Sequence, residues 1–140
     1  MTDWDKIWKD GGGARAGTPE NSFVRFVSRV YGSDLDGRRF LDIGSGTGAN
    51  SHWLEERGAD VVAIDPSHRC RAHYHTDCDN YLVAHNESGF DCIVDIKTLC
   101  HSHYAASEYK LIHAAIRPGG WLYVMAPTIH HLRTEGVTAT

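Results

Sequence analysis

The run Phe40-Leu41-Asp42-Ile43-Gly44-Ser45-Gly46-Thr47-Gly48-Ala49-Asn50 has the residue types and spacing to hold a ligand against the backbone. An apolar stretch ends abruptly in three alternating glycines, where side chains would keep a bound molecule away from the main chain. A second apolar stretch, Val61-Val62-Ala63-Ile64, ends in Asp65, followed by Pro66. A carboxylate at the end of such a strand can accept two hydrogen bonds from a ribose diol. Strand, glycine turn, helix, second strand and terminal acid together make a nucleotide-binding half-fold. Gly44-Ser45-Gly46-Thr47-Gly48-Ala49 also satisfies the dinucleotide pattern G-x-G-x-x-A, so a nicotinamide oxidoreductase is an alternative at this point.

A second group of reactive side chains crowds the stretch after Asp65: His68, Cys70, His73, His75 and Cys78. These are zinc-ligand types, but the spacing His-x-Cys-x-x-His-x-His-x-x-Cys matches no standard finger. The chain has 10 His in all, so a polar loop in a His-rich protein is the expectation and no metal is assigned.

The elements that must position these residues follow from periodicity. The chain has 140 residues, 41% hydrophobic and 23% charged, which fits one globular domain spanning positions 1–140. The net charge of −4 supplies no basic field for phosphates, so nucleic acid is not the expected partner. No apolar run has membrane-spanning length, the N-terminus is acidic rather than signal-like, and the 4 Cys read as reduced thiols. A cytoplasmic protein is expected. Trp4, Ile7 and Trp8 share one face of a short helix over Asp3 to Lys9, and the glycine-rich segment after it is a lid or a linker. Thr18-Pro19-Glu20 reads as a helix start, with Thr18 as cap. Strands are expected at Phe40–Ile43, Asp60–Ile64, Phe90–Asp95 and Trp121–Ala126, with a stunted third strand near Ala72–His75. Helices are expected over 48–57, 79–86 and 105–116, and an irregular tail over 127–140. This alternation gives an α/β fold with an open, mostly parallel sheet of order 3-2-1-4-5, carrying its ligand at the carboxyl ends where the order switches.

Asp42 stands two residues before Gly44, Asp95 ends the fourth strand, and Ile116-Arg117-Pro118-Gly119-Gly120-Trp121-Leu122 precedes the fifth. With the glycine run these resemble, in order, motif I (D-x-G-x-G-x-G), motif IV and the L-x-P-G-G turn of the class I S-adenosylmethionine (SAM)-dependent methyltransferases. The resemblance spans about Phe40 to Ala126. It implies a three-layer Rossmann-like fold, SAM as cofactor and S-adenosylhomocysteine as product. It implies that Gly44, Ser45, Gly46 and Gly48 embrace the methionine half of SAM and that Asp42 and Asp95 orient its ammonium and carboxylate. Asp65 and Pro66 would meet the ribose, and Asp77-Cys78 the adenine amine. Trp8 and Arg15 lie in a leader similar to one that folds over the cofactor in small-molecule methyltransferases. His101 and His103 after the fourth strand are candidate bases, and Lys97 can position an anionic acceptor.

The chain departs from the family by its short stretch after the fifth strand and its compressed region from Asp65 to Asp77. An Asn/Asp-Pro-Pro-Tyr/Phe motif is absent after the fourth strand, which points away from nucleobase amines. The expected function is direct methyl transfer to a small molecule. The alternative is a non-catalytic module that binds SAM or S-adenosylhomocysteine, or a partner subunit. An open edge at the fifth strand would invite pairing with a second copy or another chain.

Overall fold

In a computed structural model the described residues are Asp3, Asp5, Lys6, 17–99 and 105–126, the side chain of residue 105 excepted. Helix α1 (Asn21–Tyr31) buries Phe23 and Val27 on one stripe. Its N-cap is Glu20 rather than Thr18: the Glu20 carboxylate accepts the Phe23 amide at 2.8 Å. Gly32, at φ 81°, closes the helix. Strand β1 (Arg39–Ile43), helix α2 (Ala49–Glu55) and strand β2 (Asp60–Ile64) follow as one β-α-β unit. Helix α3 (Cys78–His85), strand β3 (Phe90–Ile96), helix α4 (Ala105–Ala115) and strand β4 (Ile116–Met125) complete the order.

The four strands form one parallel sheet in the order β2-β1-β3-β4. The central strands β1 and β3 are buried nearly throughout, as parallel strands covered on both faces must be. One face carries α1 and α2 through Phe23, Val27, Leu54, Phe40, Val61 and Val94. The other carries α3 and α4 through Tyr81, Leu82, Ile112, Leu41, Ile64 and Ile93. This is the three-layer α/β fold expected from the alternating pattern.

Two expectations need correction. The third strand is reduced to a single bridge between Ile64 and Tyr74, so the expected order 3-2-1-4-5 is observed without its first member. A parallel crossover consumes a dozen residues by itself, and residues 65–77 leave none for a strand of useful length. The Pro118-Gly119-Gly120 segment is not a turn before the last strand but a bulge inside it. Pairing jumps from Phe90↔Ile116 to Cys92↔Trp121. Gly120 is required there because a Cβ would stand 2.8 Å from the Asp91 carbonyl oxygen and 2.6 Å from Ile116 Cγ2.

The sheet order reverses between β1 and β3. Their carboxyl ends, with that of β2, bring Ile43-Gly44, Asp95 and Asp65 to one rim.

Candidate cofactor site

The glycine turn is held from three sides. The amides of Gly44 and Ser45 both donate to the Ile64 carbonyl, at 2.8 and 3.1 Å, tying the turn to the end of β2. The Gly46 amide donates to Asp65 Oδ2 at 3.0 Å in a buried contact. From the connection after β2, Arg71 donates its amide to the Gly46 carbonyl at 2.8 Å and its carbonyl accepts Ser45 Oγ at 2.7 Å. Gly44, Gly46 and Gly48 all lie in the left-handed region, at φ 69°, 54° and 77°. At Gly44 the demand is doubly strict. A Cβ would fall 2.1 Å from Thr98 Oγ1, which donates to the Ile43 carbonyl at 3.0 Å.

The three acids expected at the rim differ in what they do. Asp65 is buried, with Oδ2 on the Gly46 amide and Oδ1 on the Ser67 amide at 3.0 Å. Each carboxylate oxygen has a second lone pair, and the Cys70 thiol also hydrogen-bonds this carboxylate. Asp95 is turned into the protein: Oδ1 accepts the amides of Thr98 (3.2 Å) and Leu99 (3.1 Å), and Oδ2 accepts the Tyr109 hydroxyl at 2.6 Å. It shapes the turn after β3. Asp42 is buried and accepts Ser51 Oγ at 2.7 Å. Burial pushes its carboxyl up to about 7, the Ser51 hydrogen bond opposes the rise, and the charge of Asp65 adds to it.

The other expected positions scatter. Pro66 is exposed beside Asp65. Asp77 caps α3, with Oδ1 accepting the Asn80 amide and Oδ2 its side-chain amide, each at 3.0 Å. Burial and the neighbouring Asp79 raise its carboxyl. The Cys78 side chain is buried in the core with Tyr81 and Leu82. Lys97 is exposed at φ 57°, with its amide on the Met125 carbonyl. Trp8, Arg15, His101 and His103 lie outside the described residues. From the leader, Asp5 accepts Ser67 Oγ at 2.5 Å and the His68 amide at 2.8 Å, so the N-terminal turn touches the segment just past Asp65.

The His/Cys stretch does not converge. The His68 and His75 rings face each other with centroids 4.8 Å apart, while His73 turns back to β2. Cys70 and Cys78 are buried separately, and burial pushes the Cys70 thiol up to about 12. Among the described residues no three His, Cys, Asp or Glu side chains come together as metal ligands. An open cavity of about 300 Å³ lies behind the glycine turn on the flank of α2, bordered by Ser51, Glu55, Ala63, Arg71 and His73.

Sequence reasoning passed over Thr98, Ser51, Tyr109 and Arg71. Thr98 had a signal, standing three residues after Asp95, the spacing at which an acid accepts a following amide. Ser51, Tyr109 and Arg71 had none, because their partners are distant in sequence.

Comparison with known proteins follows the same lines. A family model described as a methyltransferase domain matches residues 18–138. The ubiquinone biosynthesis O-methyltransferase of Leptothrix cholodnii is 27% identical over 115 residues, covering 72% of this chain and 48% of that protein. The cypemycin N-terminal methyltransferase of a Streptomyces species is 61% identical over 33 residues, 24% of this chain and 14% of that protein. A SAM-dependent methyltransferase from Archaeoglobus fulgidus superposes with a TM-score of 0.61 at 18% identity, covering 78% of this chain and 54% of that one. This chain thus spans about half the length of the curated relatives it matches. No helix among the described residues is long and apolar enough to cross a membrane. With the glycine turn, its acids and the parallel sheet in this arrangement, the chain belongs to the methyltransferase family, with a class I Rossmann-like fold and SAM as the family cofactor.

Proposed function

We propose that the chain binds SAM at the rim of β1, β2 and β3 and transfers its methyl group to a small-molecule acceptor. The observation that carries this reading is the bond between the Gly46 amide and Asp65 Oδ2. It sets the glycine turn and a carboxylate side by side at the ends of adjacent strands. When bound, SAM supplies an electrophilic methyl on a sulfonium; the acceptor's lone pair takes the methyl, the sulfur keeps the bonding pair, and the acceptor loses a proton to solvent or a base.

The chain's own residues would orient and shield. Asp65 would accept the ribose hydroxyls through its unused lone pairs, and Gly44 to Gly48 would present backbone to the amino-acid half. Asp95 and Thr98 would act indirectly, by shaping the turn against which that half lies. Lys97 would position an anionic acceptor. Aligning the acceptor and excluding water would supply most of the rate enhancement. Because the Leptothrix relative is named an O-methyltransferase, an oxygen nucleophile is the first acceptor class; the shorter match, to an N-terminal methyltransferase, favours a peptide amine as the comparison arm.

The test is calorimetric titration with SAM, S-adenosylhomocysteine and NAD, on wild type and Asp65→Ala. Micromolar binding of the first two that weakens about tenfold or more in the variant is expected, from loss of a charged hydrogen-bond acceptor. Methyl-labelled SAM is then offered with catechols and with short peptides. Binding without transfer to either arm would leave a ligand-binding module; binding of NAD alone would overturn the cofactor assignment.

A further inference from the structure

The connection from β2 to α3 does more than shorten the route. Tyr74 bridges Ile64, so its amide donates to the Ala63 carbonyl at 3.2 Å and its carbonyl accepts the Asp65 amide at 3.1 Å. In a continued parallel strand the carbonyl two residues earlier, that of Ala72, would accept the Ala63 amide. Here it does not. Arg71 is held at the glycine turn through the Gly46 carbonyl and Ser45 Oγ. The chain therefore turns away from β2 at Ala72, and the Ala63 amide would lose its partner at a buried residue of the strand. The His73 ring supplies one: its Nδ1 accepts the Ala63 amide at 2.9 Å, while the His73 amide donates to the Ala63 carbonyl at 2.8 Å.

We propose that His73 is a positioning residue for the glycine turn, its imidazole Nδ1 replacing the third-strand carbonyl so that Arg71 can clamp Ser45 and Gly46. An Nδ1 that accepts must be unprotonated, which places the ring proton on Nε2. That atom faces Glu55 Oε1 of α2 at 3.5 Å. His52 of α2 and Arg71 border the same cavity, and β2 presents only Ala63 there. The chain of contacts runs from the sheet edge through residues 71–73 to the turn, and none of it requires His73 to touch the ligand. The expected effect on affinity rests on the cofactor reading above; the hydrogen bonding does not.

The test uses the whole chain. In wild type, the His73 Nδ1 nitrogen resonance should be that of an unprotonated acceptor coupled to the Ala63 amide. A protonated Nδ1 or an absent coupling overturns the proposal whatever the variants do. His73→Leu should speed exchange of both the Ala63 and Arg71 amides about tenfold or more and weaken S-adenosylhomocysteine binding about tenfold, the scale of one buried amide left unpaired. His73→Asn, whose side-chain oxygen can accept at the Nδ1 position, should restore both. Equal losses in the Leu and Asn variants, or unchanged Arg71 exchange in the Leu variant, would refute a positioning role. If wild type binds no S-adenosylhomocysteine, the cofactor reading fails while the exchange measurements still decide the brace.

Discussion

Asp42 and Asp95 are both buried acids of the central strands, yet their support differs. Asp95 accepts two amides and a tyrosine hydroxyl, whereas Asp42 faces the single hydroxyl of Ser51 and the charge of Asp65. Its carboxyl, pushed to about 7 mainly by burial, binds a proton in the folded state more readily than in the unfolded chain. A raised carboxyl contributes stability that is full below the unfolded value near 4 and is lost as pH rises to about 7. Asp42→Asn should therefore gain on wild type by about 1 kcal/mol per pH unit between pH 4 and 7, then hold a constant lead. Urea unfolding at pH 5, 6, 7 and 8 reads this directly, and a pH-independent difference would refute it. Asp42, Gly44 and Asp65 could be singled out in the sequence because their types and spacing repeat a known strand-turn-strand logic. The inward turn of Asp95 was not, since its Tyr109 partner belongs to a helix that only the folded chain brings over β3.

At the scale of elements, most of the pattern could be read from hydrophobic runs. Strand β2 lies at Asp60–Ile64 as expected, and α2, α3 and α4 depart from expectation by only a residue or two. The departures occur where two local solutions compete. Thr18 is a good cap residue, but Glu20 reaches the Phe23 amide, and its own amide is fixed by Asn50 Oδ1 at 2.8 Å. Asp77, expected at the adenine, is the N-cap of α3. The capping role predicts that Asp77→Ala lowers stability by about 1 kcal/mol while the dissociation constant for S-adenosylhomocysteine stays within about twofold, since a cap bond holds only its own helix. A larger loss of affinity, measured by calorimetry on the folded variant, would return Asp77 to the cofactor site.

For the molecule as a whole, the rim of the sheet opposite the glycine turn is tied by one acid. Asp91 accepts the Arg39 amide at 2.8 Å and Arg117 Nε at 2.5 Å, with Arg38 at 3.5 Å, and its carbonyl takes the Tyr31 hydroxyl at 3.1 Å. Burial by itself would raise this carboxyl, but the Arg39 amide and the Arg117 guanidinium hold it below the usual range. A depressed carboxyl stabilises above the ordinary value near 4 and loses that contribution as pH falls below it. Asp91→Asn should cost about 1–3 kcal/mol at pH 7, with half-exposed arginines placing it below a fully buried pair, and the deficit should shrink on acidification below about pH 4. Unfolding midpoints at pH 7 and pH 3 test this. One acid thus fastens β1, β3, β4 and α1, a convergence invisible in the sequence because the partners stand up to 60 positions apart. By itself the sequence determined the order of strands and helices, the glycine turn and the acid at the end of β2, because apolar periodicity and glycine spacing act locally. The shortened third strand was legible too, from the few residues between Asp65 and Asp77, but tertiary structure alone decided that a histidine ring fills the gap beside its one bridge. It also decided which amides and hydroxyls each buried acid accepts. Those outcomes depend on which buried amide and which carboxylate meet across the sheet, and a hydrogen bond between distant residues leaves no local pattern.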